Sequence, residues 1–285
     1  MQFVEIPSNL VSDSPLVRDT FDFVNAKGGR ASMSEIADAV FCLSHADGEL
    51  ATALVTDLVW NDPRFLIENA QLSLSDDHLE SRSLNEVDFV VLDVEAVVVR
   101  TRPARIIELA AYRVRAGEII DEFQTLVNPE MPLPAFIAAL TGLSDETLKG
   151  APAFADIVGA WLDFAGDAVL VAHNSDFDVP LLNREIARVF PGRRMRNSEL
   201  CTVKLARQLV RNSAGHNLDA LAEHFGFQIA QRHRAAGDAR ATAQVLLHLL
   251  DELEKRGVRT LVEVRSFRKD EPPQAELDLQ LALDI

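Results

Sequence analysis

Phe89-Val90-Val91-Leu92-Asp93-Val94-Glu95 is an apolar run that ends in two carboxylates one residue apart. β-Branched and aromatic side chains at this density favour an extended strand. Residues two apart in a strand leave on the same face. Asp93 and Glu95 therefore point the same way from the end of a buried strand. Like charges this close are costly unless a cation lies between them; the plainer alternative is a solvated strand end. Outward from this run, strands are predicted at 89–94, 106–114 and 119–127, and another at 168–172. Amphipathic stretches predict helices at 154–164, 179–190, 202–210, 218–225 and 238–255. Strands in series followed by alternating elements predict an α/β domain with a mixed central sheet flanked by helices.

Two further motifs carry charge in apolar surroundings. In Val169-Leu170-Val171-Ala172-His173-Asn174-Ser175-Asp176-Phe177-Asp178 a buried strand runs into a polar turn and then a helix. Asp178 falls near that helix start, where the helix dipole favours a carboxylate; Asp176 is the more natural cap. In Gln231-Arg232-His233-Arg234-Ala235-Ala236-Gly237-Asp238, His233 precedes a long helix that Asp238 opens. Helix capping is the bland reading of both aspartates. A histidine, whose side chain exchanges protons near neutral pH, suits a base that activates water.

Together these motifs resemble the DEDDh exonuclease family on the RNase H-like fold, and within it the proofreading type found with bacterial DNA polymerase III. The resemblance spans about 88–250. It includes Asp93-Val94-Glu95, the Ile106-Ile107-Glu108-Leu109-Ala110-Ala111 stretch, Leu140-Thr141-Gly142-Leu143, the His173 to Asp178 motif and the His233 to Asp238 motif. The connecting blocks Cys201-Thr202-Val203-Lys204-Leu205 and Asn217-Leu218-Asp219-Ala220-Leu221 also fit.

The resemblance implies a metal-dependent 3′-to-5′ exonuclease that shortens single-stranded or frayed DNA ends to nucleoside monophosphates in proofreading or repair. It assigns Asp93, Glu95, Asp178 and Asp238 to two divalent ions, Mg²⁺ with Mn²⁺ as substitute, and His233 to the base. All-oxygen donors suit these hard cations. It places Ala96, Val97, Val98, Leu140, Thr141, His173 and Asn174 against the terminal nucleotide. Where the family has Thr-Thr-Gly after the first motif, this chain has Ala96-Val97-Val98, a change expected to alter how the 3′ end is held in that loop. The alternatives are an exoribonuclease of the RNase T kind, or a non-catalytic tethering protein with a weakened site.

The remaining sequence frames these motifs. Residues 1–75 read as three helices and a hairpin, resembling a winged-helix domain, with Ser32 or Ser34 capping the second helix and Asp47 the third. The third predicted helix carries no Lys or Arg, which favours an unidentified protein partner over DNA reading. Residues 76–85 read as a polar linker, 86–258 as the exonuclease domain and 259–285 as a flexible acidic tail. That tail ends in Gln280, Leu281, Leu283 and Ile285, resembling a bacterial sliding-clamp-binding peptide. Net charge is −16 from 28 basic and 44 acidic residues, which argues against broad adhesion to phosphates. Arg193, Arg194 and Arg196, with Lys204, Arg207 and Arg211, form the one basic concentration, a candidate phosphate track. Cys42 and Cys201 lie far apart, as reduced thiols in a cytoplasm would. No run of 18 apolar residues predicts a membrane span, and residues 1–10 lack the pattern of a secretory signal.

Overall fold

The computed structural model describes residues 7–44, 47–75, 78–211 and 213–267. They form two compact units: Met1–Asp77 with Ile186–Arg196, and His78–Glu185 with Asn197–Ile285. Among the described residues no helix is long and apolar enough to cross a membrane. The terminal peptide at 280–285 lies outside the described residues.

The first unit runs β1 (Leu10–Ser12), α1 (Pro15–Ala26), β2 (Arg30–Ser32), α2 (Met33–Phe41), α3 (Gly48–Leu58), β3 (Phe65–Glu68) and β4 (Gln71–Leu74). Local chemistry sets the helix starts. Ser32 and Glu35 form a reciprocal capping box at α2, and Asp47 accepts from the Glu49 and Leu50 amides at α3, satisfying donors that a helix leaves unpaired. Of the two predicted caps for α2, Ser32 fills the role and Ser34 lies inside the helix. The strands pair antiparallel in the order β2-β4-β3, so the predicted hairpin gains a third strand. Val17, Val24, Ile36, Val55 and Leu72 close its core. Leu50 and Trp60 remain exposed.

The second unit begins with a short 3₁₀ turn (His78–Ser81) and continues β5 (Phe89–Val99), β6 (Arg102–Arg115), β7 (Glu118–Leu126), α4 (Ala135–Thr141), α5 (Asp145–Lys149), α6 (Phe154–Ala165), β8 (Val169–Ala172) and α7 (Ser175–Val189). After β9 (Arg193–Met195), which belongs to the first unit, the second continues with β10 (Glu199–Cys201), α8 (Thr202–Leu209), α9 (Leu218–Phe225), α10 (Ala235–Lys255) and α11 (Leu261–Ser266). The sheet order is β10-β8-β5-β6-β7. β5, β6 and β7 form an antiparallel meander, while β8 is parallel to both β5 and β10. This is the mixed α/β architecture expected of an RNase H-like domain. α10 covers β5 and β6, contributing Ala239, Ala243, Val245, Leu246 and Leu249 to the core.

Four segments differ from their sequence reading. Ala96, Val97 and Val98, expected in a loop, continue β5 with register shifts after Glu95 and around Val98; consecutive β-branched residues without a glycine keep the chain extended. Residues 78–85, expected as linker, are tied to the far end of the chain: the Leu84 amide donates to the Arg259 carbonyl at 2.7 Å, and Ser83 bridges Thr260. The expected tail opens with α11, whose Leu261 and Val264 enter the core. In the first unit, β9 pairs antiparallel with β1, Leu10 opposite Met195. The segment read as part of a basic track is thus a strand.

Candidate active site

β5 carries Asp93 and Glu95, and α10 brings Asp238 to them in its first turn. One carboxylate oxygen from each lies within 4.8 Å of the others. Asp178, in the first turn of α7, accepts from the Val94 amide at 3.3 Å, so it is fixed to the backbone between the two strand carboxylates. Both Asp178 and Asp238 are buried.

Crowding sets the electrostatics. Burial, then Asp178, Asp238 and Glu95, hold the Asp93 carboxyl well above the usual range. Burial first, then Asp238 and Glu108, push Glu95 up to about 7. Burial raises Asp178 to about 7, against the lowering effect of the Val94 amide, and burial raises Asp238 as well. Arg232 offsets part of this, donating to Asp238 and to Asp219. Asp238 Oδ1 is buried with no hydrogen-bond partner. Carboxylates gathered so closely, with an orphaned buried oxygen among them, fit a divalent cation in donor type and in charge.

His233 sits beside this group without joining it as a ligand. Its backbone is left-handed, φ 62°, its amide donates to Asp238 Oδ2 at 3.2 Å, and its side chain is exposed. Gly237 makes that loop possible. A Cβ there would meet the Ala230 carbonyl oxygen at 2.1 Å and that of Gln231 at 2.4 Å.

The residues expected against a terminal nucleotide divide. Val98 and Leu140 are each 50% exposed, Asn174 is exposed at the start of α7, and Ala96 is half-buried. Val97 and Thr141 are buried. Val97 packs with Ile107, Leu133 and Ile137, because the register shift after Glu95 turns it to the face opposite Asp93 and Glu95. The Thr141 hydroxyl bonds the Ile137 carbonyl and the Leu143 amide within its own helix end. His173 is half-buried, Nδ1 bonded to Thr202 Oγ1 at 2.9 Å, with Nε2 buried and unpartnered. Burial, then Arg232, lower its pKa to about 4, so it is neutral at physiological pH.

Sequence reading missed three features. Phe136 and Phe177 expose large rings, on α4 and immediately before Asp178. Glu108 is fully buried in β6 and bound to Arg234; a charge inside the apolar stretch Ile106 to Val114 was its available signal. The basic track also divides. Arg194 pairs with Asp13 in the first unit, whereas Lys204 pairs with Asp176 in the second.

The family profile described as Exonuclease (RNase_T) matches residues 90–246. The chain is 36% identical over 187 residues to a DNA polymerase III PolC-type protein of Caldanaerobacter subterraneus subsp. tengcongensis, which is 66% of this chain but 13% of that protein. It thus spans a small part of such relatives. It is 37% identical over 165 residues to the DNA polymerase III subunit epsilon of Aquifex aeolicus, 58% of this chain and 81% of that protein. Among solved structures, the nuclease domain of 3'hExo, a DEDDh family member bound to rAMP, matches with a TM-score of 0.52 over 62% of this chain and 95% of that one. At 19% identity this likeness is one of fold.

Proposed function

The chain belongs to the exonuclease (RNase_T) family, and from that premise we propose that it is a metal-dependent 3′-to-5′ exonuclease acting on single-stranded or frayed DNA ends. The observation that carries this reading is the convergence of Asp93, Glu95 and Asp238, with Asp178 fixed alongside. These four side chains would hold Mg²⁺, with Mn²⁺ able to replace it. Such ions supply Lewis-acid polarisation of phosphate oxygens and charge neutralisation in phosphodiester hydrolysis.

The protein's own groups perform the rest. His233, exposed on a loop anchored to Asp238, takes a proton from the water that attacks the terminal phosphodiester. The bond to the 3′ oxygen of the preceding nucleotide breaks, and a nucleoside 5′-monophosphate leaves. Exposed Phe136, Leu140, Val98 and Phe177 offer apolar surface on which bases can stack, an interaction tolerant of sequence. The relatives' names connect them with DNA polymerase III, and proofreading or repair is the setting proposed for this chain.

Purified protein incubated with 3′- and 5′-labelled DNA and RNA oligonucleotides should shorten them from the 3′ end with Mg²⁺ or Mn²⁺ and not with EDTA. Asp93→Ala should abolish this. No metal-dependent shortening, or equal shortening by the variant, would sink the enzyme reading. Faster loss of RNA would select the ribonuclease alternative. For the terminal peptide we keep the sliding-clamp reading. Deleting residues 280–285 should abolish clamp binding in a pull-down while cleavage of free oligonucleotides stays the same.

A further inference from the structure

His233 is exposed, yet the residues on both sides of it are fixed. Arg232 is held by Asp219 at 3.0 Å and by Asp238. Arg234 is held by Glu108, its Nε donating to Oε2 and its Nη2 to Oε1, both at 2.9 Å. Glu108 does more than pair. Its Oε2 also accepts from the Ala235 amide at 3.2 Å, and its Oε1 from Gln124 Nε2 at 3.4 Å. Ala235 is the first residue of α10, and Arg234 at the cap position offers no side-chain cap of its own. Glu108 on β6 therefore supplies the capping carboxylate that the helix's own sequence lacks.

Stability alone does not account for this pair. Glu108 has no exposed surface, and a buried ion pair is commonly matched by apolar groups of the same volume. Glu108 also stands directly opposite Glu95 in the β5–β6 register, and like charges facing across strands are unfavourable. Meanwhile the loop it holds is strained: Gln231 and His233 both have positive φ, 56° and 62°, a conformation that persists only when its surroundings enforce it.

We infer that Glu108 is a positioning residue: through Arg234 and the first turn of α10 it fixes the backbone from which His233 reaches the reacting water. This rests on the role given to His233 above.

The test compares Glu108→Met and Arg234→Lys, each alone and combined with His233→Ala, on a 3′-labelled oligonucleotide. Arg234→Lys keeps the charge and loses the two-pronged geometry, and it stands in should Glu108→Met fold poorly. Misplacement of a reacting group by about an ångström can cost on the order of a hundredfold in rate, so each single variant should lower kcat at least about tenfold, with KM unchanged. In the His233→Ala background neither should lower it further, because the pathway they serve is already gone. Calorimetric Mn²⁺ binding by Arg234→Lys, which keeps the local charge, should be unchanged, and hydrogen exchange across 231–236 should quicken. An equal loss of kcat with or without His233, or weakened Mn²⁺ binding by Arg234→Lys, would overturn the inference and make Glu108 part of the metal site's surroundings. An inactive parent protein would remove the exonuclease reading itself, a His233→Ala variant as fast as the parent would remove only the role given to His233, and either would take this inference with it.

Discussion

Glu95 and Asp178 hold their protons up to about 7, whereas the same side chains in an unfolded chain ionise near 4. The direction of the consequence follows. Below the unfolded values both states are protonated and no penalty exists. As pH rises towards about 7 the unfolded chain releases protons that the folded one keeps, so stability is lost. The melting temperature in EDTA should therefore fall between pH 5 and pH 8, and Asp93→Asn should flatten that fall by removing one member of the crowd. Mn²⁺ at pH 8 should raise it by binding the folded state. A metal-free protein with the same melting temperature at both pH values, or one indifferent to Mn²⁺, would contradict this account. Asp93 and Glu95 are legible in the sequence as two carboxylates two apart in an apolar strand and Asp238 as an acid in the first turn of an amphipathic helix, while their meeting is read from the family resemblance. The bond between Glu108 and Arg234 is not legible, because 126 positions separate them and nothing local to either residue names the other.

At the level of elements, capping and periodicity carry most of the information. α2 and α3 begin where Ser32 and Asp47 can satisfy free amides, and α10 shows its buried face in the spacing of Ala239, Val245, Leu246 and Leu249. The three-residue strands β1, β2, β9 and β10 are too short to display an alternation, so only their partners define them. Ala96 to Val98 was read through a family loop, and the residues themselves favour a strand. The first turn of α10 is the element most sensitive to change. Gly237→Ala would drive a methyl group into the Ala230 and Gln231 carbonyls. Overpacking of this kind costs about 1–3 kcal/mol or more, and here the strain falls on the loop that carries His233. A lower denaturation midpoint and a kcat loss larger than that of Ala236→Gly are expected; a variant with parental kcat would show that the loop can shift without consequence.

For the molecule as a whole, the division into units does not follow the division of the sequence. The first unit takes in Ile186–Arg196, so cutting at the apparent linker removes β1 from β9 and leaves the backbone groups of that strand without partners. Unpaired strand edges invite association between chains. A chain shortened to residues 78–285 should accordingly show concentration-dependent association by sedimentation, and restoring residues 1–77 should reverse it; a monodisperse truncated chain would argue that β9 needs no partner. The same pairing bears on how the protein is made. Domains on a growing chain generally fold as units, the N-terminal one first. Here β1 precedes the second unit in the chain, but its partner strand is not synthesised until the segment to Glu185 has been. The first unit is therefore the one that has to wait, and its β1–β9 pairing follows translation of Met195.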